Sequence, residues 1–411
     1  MKYWWGYLIA AIFGAFSWAI TRLGETYSDL VDMVYPYVTR EVQTMLAQWT
    51  GTVDTLVWQV AVVSFVVMAL ALLVVVILTK GSVIRYVGWV LAVASVVFFL
   101  QTGIYGLNYC AGPLSDDIRM SVDDYTQFDL ELATAFYRDQ ANVLSARVPR
   151  DDEGNLDFPE FDSLAEMAAT GFDSLTYDRS FSIFGGDTSP VKRLGWAEAY
   201  TSMGITGFTC FLTGEAAVNP MIPASTMPFT MCHEMAHRMC IAREDDANFA
   251  AFLACEANES ELYRYSGYFM AFRYCYNALA AVDSASASAI KADCSQEMLR
   301  DLEIYDAFFR DNRDETATRV ADTVNDTYLK ASGDEKGIAS YSAVCDQLVN
   351  WYITEYATPE DLGEPKFDPF DETQVDLSGI VNYIPPETEP AEATEATGET
   401  EATEATEGTQ G

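Results

Sequence analysis

His233-Glu234-Met235-Ala236-His237 contains both histidines of this 411-residue chain. On a helix, positions four apart fall on one face a turn apart, so the two imidazoles point the same way with Glu234 beside them. Two neutral imidazoles aimed at one point form half of a Zn2+ site, and a neighbouring carboxylate can take a proton from water. The pentapeptide therefore predicts a helix, a metal and hydrolytic chemistry together, with Glu234 as general base. A bare helix face packed without metal is the bland alternative.

Two imidazoles do not complete such a site, and there is no third histidine, so the remaining protein ligand must be a carboxylate or a thiolate. Just downstream stands Arg243-Glu244-Asp245-Asp246-Ala247-Asn248. If this stretch is helical, Glu244 and Asn248 share a face. Glu244 is then the candidate third ligand, and Asn248 a candidate to hold a ligand from behind. Asp245 or Asp246 can fill the same role, leaving Glu244 to favour its helix dipole. Asn248 can equally be a simple polar cap.

On the N-terminal side, Gly204 to Asn219 alternates like strands joined at a glycine turn, and Pro220, Pro223 and Pro228 punctuate the approach to the histidine helix. On the C-terminal side, helical patterns cover about 244–255, 261–282, 285–310, 314–329 and 338–356. A helix from Ser121 to Val148, opened by Ser121 and Asp124, and another over Asp162 to Thr176 precede the strands. The fold class is α+β, mainly helical with a small sheet.

Residues 1–109 differ in character. Three apolar stretches, about 3–20, 56–78 and 86–107, are each long enough to cross roughly 30 Å of hydrocarbon. Lys2, Lys80 and Arg85 sit at one set of ends, which places the N-terminus in the cytoplasm of a multi-pass cell-membrane protein and everything after Cys110 outside. The first stretch can instead be read as a signal peptide, with Ser17-Trp18-Ala19 the nearest cleavage-like triplet. Between the first two stretches, Val31 to Gln48 carries part of a helical apolar pattern, expected to pack on the bilayer or on the later domain.

The net charge of -37 falls wholly after residue 109, where 19 Lys/Arg face 56 Asp/Glu. So acidic a surface excludes nucleic-acid binding. All eight cysteines follow the apolar stretches, none in a CxxC spacing, and they fit either disulfides of unresolved pairing or buried thiols. From Pro385 the chain repeats Glu, Ala and Thr without a basic residue, a composition that cannot build a core. The expected units are thus a membrane anchor over 1–109, an extracytoplasmic domain over 110–384 and an acidic tail over 385–411.

The motif followed by Glu244-x-x-Ala247-Asn248 resembles the gluzincin metallopeptidases, and Glu244 to Leu253 resembles the corresponding helix of ImmA-type peptidases. Three N-terminal spans, Phe211-Leu212-Thr213-Gly214-Glu215-Ala216, Pro228-Phe229-Thr230-x-Cys232-His233-Glu234-x-Ala236-His237 and Arg243-Glu244-Asp245-x-Ala247-Asn248 together resemble the bacterial domain of unknown function (DUF) 3810 family. The resemblance implies a zincin-like domain, Zn2+ held by His233, His237 and Glu244, Glu234 as general base, and a peptide or protein substrate. It also favours the segment ending in Tyr341, a candidate for stabilising the oxyanion that can equally be a core residue. Glycine is expected in the link after His237, where this chain has Cys240-Ile241. A catalytically silent sensor or binding module is the alternative function, and a structural protein with a metal staple a third.

Overall fold

A computed structural model describes residues 4–186, 189–332 and 340–358. Three of its helices are long and apolar enough to cross a membrane: α1 (Trp5–Thr26), α3 (Val57–Leu78) and α4 (Val83–Ile104). The chain is therefore membrane-associated. α1 and α4 approach so closely that a Cβ on Gly6 would lie 2.3 Å from the Gly88 carbonyl carbon. Small residues permit such contact between helices in lipid, where packing must replace the hydrophobic effect. α1 runs six residues beyond the expected end at 20, because Thr21 to Thr26 continue the helix past the apolar stretch.

Between α1 and α3 lies α2 (Ser28–Thr50), the helix expected over 31–48. It packs on the later domain: Gln43 donates to the Phe211 carbonyl at 2.9 Å, Thr50 donates to that of Thr213 at 3.2 Å, and Arg40 donates to those of Ser182 and Ile183.

Beyond α4 come the short α5 (Leu114–Asp117), then α6 (Gln127–Ser145) and α7 (Phe161–Asp178). The sheet follows, with β1 (Lys192–Arg193), α8 (Ala197–Ser202), β2 (Gly207–Cys210) and β3 (Glu215–Val218). Then come α9 (Met227–Arg238), α10 (Glu244–Glu256), α11 (Glu261–Val282), α12 (Ser284–Ala292), α13 (Gln296–Asn312), α14 (Glu315–Ser332) and α15 (Ser340–Glu355). The strand order is β1-β3-β2, with β1 parallel and β2 antiparallel to the central β3. The α+β reading holds.

Beyond the spans, two further helices depart from expectation. α6 begins at Gln127, because Thr126 and Asp129 cap it reciprocally, while the expected cap at Ser121 lies in an extended segment tied to α15 by Asp123 and Asn350. The single helix expected over 285–310 is two, since Ser295 caps a new start by accepting from the Met298 amide. β1 was not anticipated, two residues being too few for a pattern.

The main core packs α6, α7, α9, α10, α11 and α15 around fully buried Tyr137, Phe172, Phe249, Phe252, Phe269 and Phe272. α10 runs through its middle, nearly every residue buried, which explains its lack of an amphipathic pattern. Gly171 lets α7 touch α10, where a Cβ would sit 1.9 Å from the Ala254 carbonyl oxygen. The eight cysteines are free thiols, with Cys232 against Cys255 and Cys275 against Cys345 in sulfur contact. The tail from 385 lies outside the described residues.

Candidate metal centre

α9 packs on β2 and β3 and ends in a tight reversal. The Cys240 amide donates to the His237 carbonyl (2.9 Å) and the Ile241 amide to that of Ala236 (3.1 Å), the paired bonds of a Schellman turn. Such a turn needs a residue in the left-handed region, and Cys240 takes it with φ 72°. A cysteine thus does the work expected of glycine. The reversal brings the Ile241 carbonyl to His237 Nδ1 at 2.9 Å. With that carbonyl accepting, His237 keeps a proton on Nδ1, and Nε2 is the ring nitrogen turned toward Glu244. Tyr105, fully buried just after α4, donates its hydroxyl to the His237 carbonyl at 2.9 Å.

α10 then runs back along α9 and delivers Glu244. Its Oε2 lies 3.4 Å from His233 Nε2 and 3.4 Å from His237 Nε2. The imidazoles are nearly perpendicular, with centroids 4.6 Å apart. Glu244 Oε2 is buried without a hydrogen bond, and 3.4 Å is too long for a good one. Four ligands at 2.0–2.1 Å around a tetrahedral ion stand roughly 3.3–3.4 Å apart. The orphaned oxygen thus stands from each Nε2 at the separation a shared ion would set, and the three side chains form an arrangement able to hold a metal. Asp245 and Asp246 turn elsewhere, Asp245 to Arg243 and Asp246 to Arg243 and Gln347. The structure thus brings Glu244, and neither neighbour, to the imidazoles.

Electrostatics follow from this packing. Burial disfavours the charge on Glu244, yet the two imidazoles hold its carboxyl well below the usual carboxylate range. For His237, burial works against protonation, but Glu244 and the Ile241 carbonyl outweigh it and raise the imidazole to about 9. Burial pushes Glu234 upward against the pull of His233 and His237.

Glu234 points to the sheet. Thr209 on β2 lies 2.6 Å from its Oε2 and 3.0 Å from its backbone carbonyl. Gly207 leaves room beside it, since a Cβ there would sit 2.3 Å from Oε1. Asn248 is buried near the turn of α10 that bears Glu244, but its amide nitrogen bonds to nothing, and its carbonyl oxygen accepts from Tyr274 at 3.2 Å. It does not hold a ligand through a hydrogen bond in this arrangement. Tyr341 falls in the first turn of α15, with its side chain outside the described residues.

Sequence reasoning missed Thr209, Gly207 and Tyr105. Only the alternation of Gly204–Asn219 hinted at the first two, and nothing local marked the third.

Fold and site define a membrane-associated, mainly helical protein with two imidazoles and a carboxylate converging at a helix reversal. Residues 31–349 match the family described as "Protein of unknown function (DUF3810)", and the chain belongs to it. No curated protein and no solved structure matches the chain.

Proposed function

We propose that this chain is a membrane-anchored Zn2+ metallopeptidase of gluzincin type. The observation that carries the reading is the unpartnered Glu244 Oε2 standing 3.4 Å from both His233 Nε2 and His237 Nε2, with Glu234 on the histidine helix beside them. Two imidazoles and one carboxylate leave a coordination position open, as a catalytic rather than structural ion requires.

A bound Zn2+ supplies Lewis acidity and lowers the pKa of a water molecule toward about 7. The chain's own residues do the rest. Glu234, made a stronger base by burial, is the group to take a proton and pass it to the departing amine. Thr209 fixes the carboxylate's rotamer, and Gly207 keeps the strand backbone close without displacing it. β2 is the edge of the sheet. Because Asn219 donates to the Thr206 carbonyl, the bonded pairs with β3 fall at Phe208 and Cys210, which turns the amides and carbonyls of Gly207 and Thr209 to the open side. An extended peptide can add there, beside Glu234.

The charges at 2, 80 and 85 favour a cytoplasmic N-terminus and, with it, a metal centre on the outer side of the cell membrane. The sensor alternative needs no base, so it gives no account of a Glu234 held by Thr209.

The test compares full-length wild type with Glu234→Gln on a mixed peptide library, read by mass spectrometry. Cleavage present in wild type and absent in a variant that still binds one zinc supports the reading. Equal cleavage by both, or none by a zinc-loaded wild type, refutes it.

A further inference from the structure

The metal centre sits against the ends of two apolar spans. α4 closes at Ile104, and the next residue, Tyr105, bonds the histidine helix through its hydroxyl. The His237 carbonyl is thus one tyrosine side chain from the end of a span. On the sheet side, the first two amides of α3, those of Val57 and Trp58, donate to the Glu215 carboxylate on β3 at 2.9 and 3.0 Å. Glu215, itself buried, is paired with Lys192 at 2.7 Å. A strand of the sheet therefore caps a membrane-spanning helix. The Trp58 ring lies 4.9 Å from that of Phe208 on β2.

A third tie fixes the depth of the adjoining loop. Gln59, the polar residue in the first turn of α3, donates to the Gly195 carbonyl at 3.2 Å. This holds Trp196 beside the span, 57% exposed and in a left-handed conformation with φ 55°. Exposed tryptophan at the mouth of an apolar span is what an aqueous–lipid interface selects. The free edge of β2 and Glu234 consequently lie at the level where α3 and α4 meet the headgroups. A soluble folded protein must bring its scissile bond to within a side chain or two of that surface. A polypeptide leaving the bilayer presents its first ten or so residues there already, roughly 33 Å when extended.

We propose that the substrates are membrane-proximal segments of membrane-inserted polypeptides, which add to the β2 edge in extended form directly from the bilayer surface. This names the substrate class for the peptidase reading above and rests on it.

The test uses full-length, zinc-loaded protein in lipid vesicles with three probes sharing one unstructured polypeptide segment. In the first probe the segment directly follows a single transmembrane helix. In the second, a 40-residue Gly/Ser spacer of roughly 35 Å root-mean-square length intervenes. The third is the segment alone. The expected result is cleavage of the first at least tenfold faster than of the other two. The spaced probe, at the same surface density, separates position from the concentrating effect of a tether.

Equal cleavage of all three overturns the proposal. A second measurement does not need turnover. Glu234→Gln carrying p-benzoylphenylalanine at position 208 is irradiated with each probe, and adducts within about ten residues of the span are expected with the first probe alone. If those adducts form while wild type cuts nothing, the peptidase reading fails and the docking of membrane-proximal segments stands. Neither cleavage nor such adducts overturns both.

Discussion

Replacing Glu244 with alanine tests the candidate metal centre most directly, because among the described residues its carboxylate is the one candidate ligand supplied from outside the histidine helix. The 3.4 Å separations from both Nε2 atoms imply metal–ligand bonds of about 2.1 Å for a tetrahedral ion. Loss of a partner outside the ligand shell costs ten- to a hundredfold in affinity, so loss of an anionic ligand should cost about a hundredfold or more. At a free zinc concentration of about 1,000 Kd, binding stabilises the wild type by about 4 kcal/mol, and a hundredfold weaker site leaves about 1.4 kcal/mol. For a folded unit of 150–250 residues, that loss corresponds to about 5–10 °C less zinc-induced rise in Tm. The assay is thermal unfolding of the full chain in detergent, with zinc and with chelator, for wild type and Glu244→Ala. Taking the increment between the two conditions cancels the mutation's effect on the metal-free protein. X-ray absorption of the wild type should give N/O neighbours at about 2.1 Å. An undiminished zinc increment in Glu244→Ala would refute the assignment and move the third ligand elsewhere.

Three further outcomes follow from contacts around that centre. Gly207→Ala places a methyl 2.3 Å from Glu234 Oε1, forcing the carboxylate aside by about 1 Å. Displacement of that size costs roughly a hundredfold in rate, so cleavage of the peptides cut by wild type should fall by that factor while zinc affinity is unchanged. Glu215→Ala removes the counter-charge of the half-buried Lys192, leaving it only the Thr50 and Thr55 carbonyls, and uncaps α3, which should cost about 3 kcal/mol in thermal unfolding; adding Lys192→Met should restore part of it. Asp117 is raised to about 6 by burial and by Asp32 and Asp116, against the pull of Arg40. A carboxyl raised in the folded state favours folding below its unfolded pKa near 4 and loses that contribution as pH rises through about 6. Asp117→Asn should therefore match wild type near pH 4 and exceed it above pH 6, by no more than about 1 kcal/mol because the side chain is partly exposed.

The site was legible where chemistry is carried by spacing along a helix. Four-residue spacing put His233 and His237 on one face, and the register of Glu244-x-x-Ala247-Asn248 pointed to the acid that the structure brings to them. The spans were legible because lipid imposes a length and a composition. What stayed hidden was set by contacts distant in the chain. Tyr105 is 132 residues from His237, and Glu215 caps a helix more than 150 residues earlier. No local pattern encodes such pairs. β1 was invisible because two residues carry no alternation, and its only reason to be a strand is the free edge of β3. The start of α6 was misplaced because two capping signals stand five residues apart, and pairing with Asn350 on α15 decides between them.

The absent glycine after His237 shows how the site survives a local conflict. A non-glycine residue at φ 72° costs on the order of 1 kcal/mol, and Cys240 is nonetheless held there. The reason lies in what the turn delivers. Its two reversed bonds aim the Ile241 carbonyl at His237 Nδ1 and start α10 on the return path that carries Glu244. Relaxing Cys240 to an ordinary conformation would release the tautomer of one ligand and the position of another. Burial of the thiol with Tyr105, Tyr109 and Ala242 offsets the backbone cost, and those tyrosines begin where α4 ends. The same small cluster therefore stabilises the strained turn, bonds the histidine helix and joins both to the membrane span, which ties the geometry of the metal centre to the chain's seating in the bilayer.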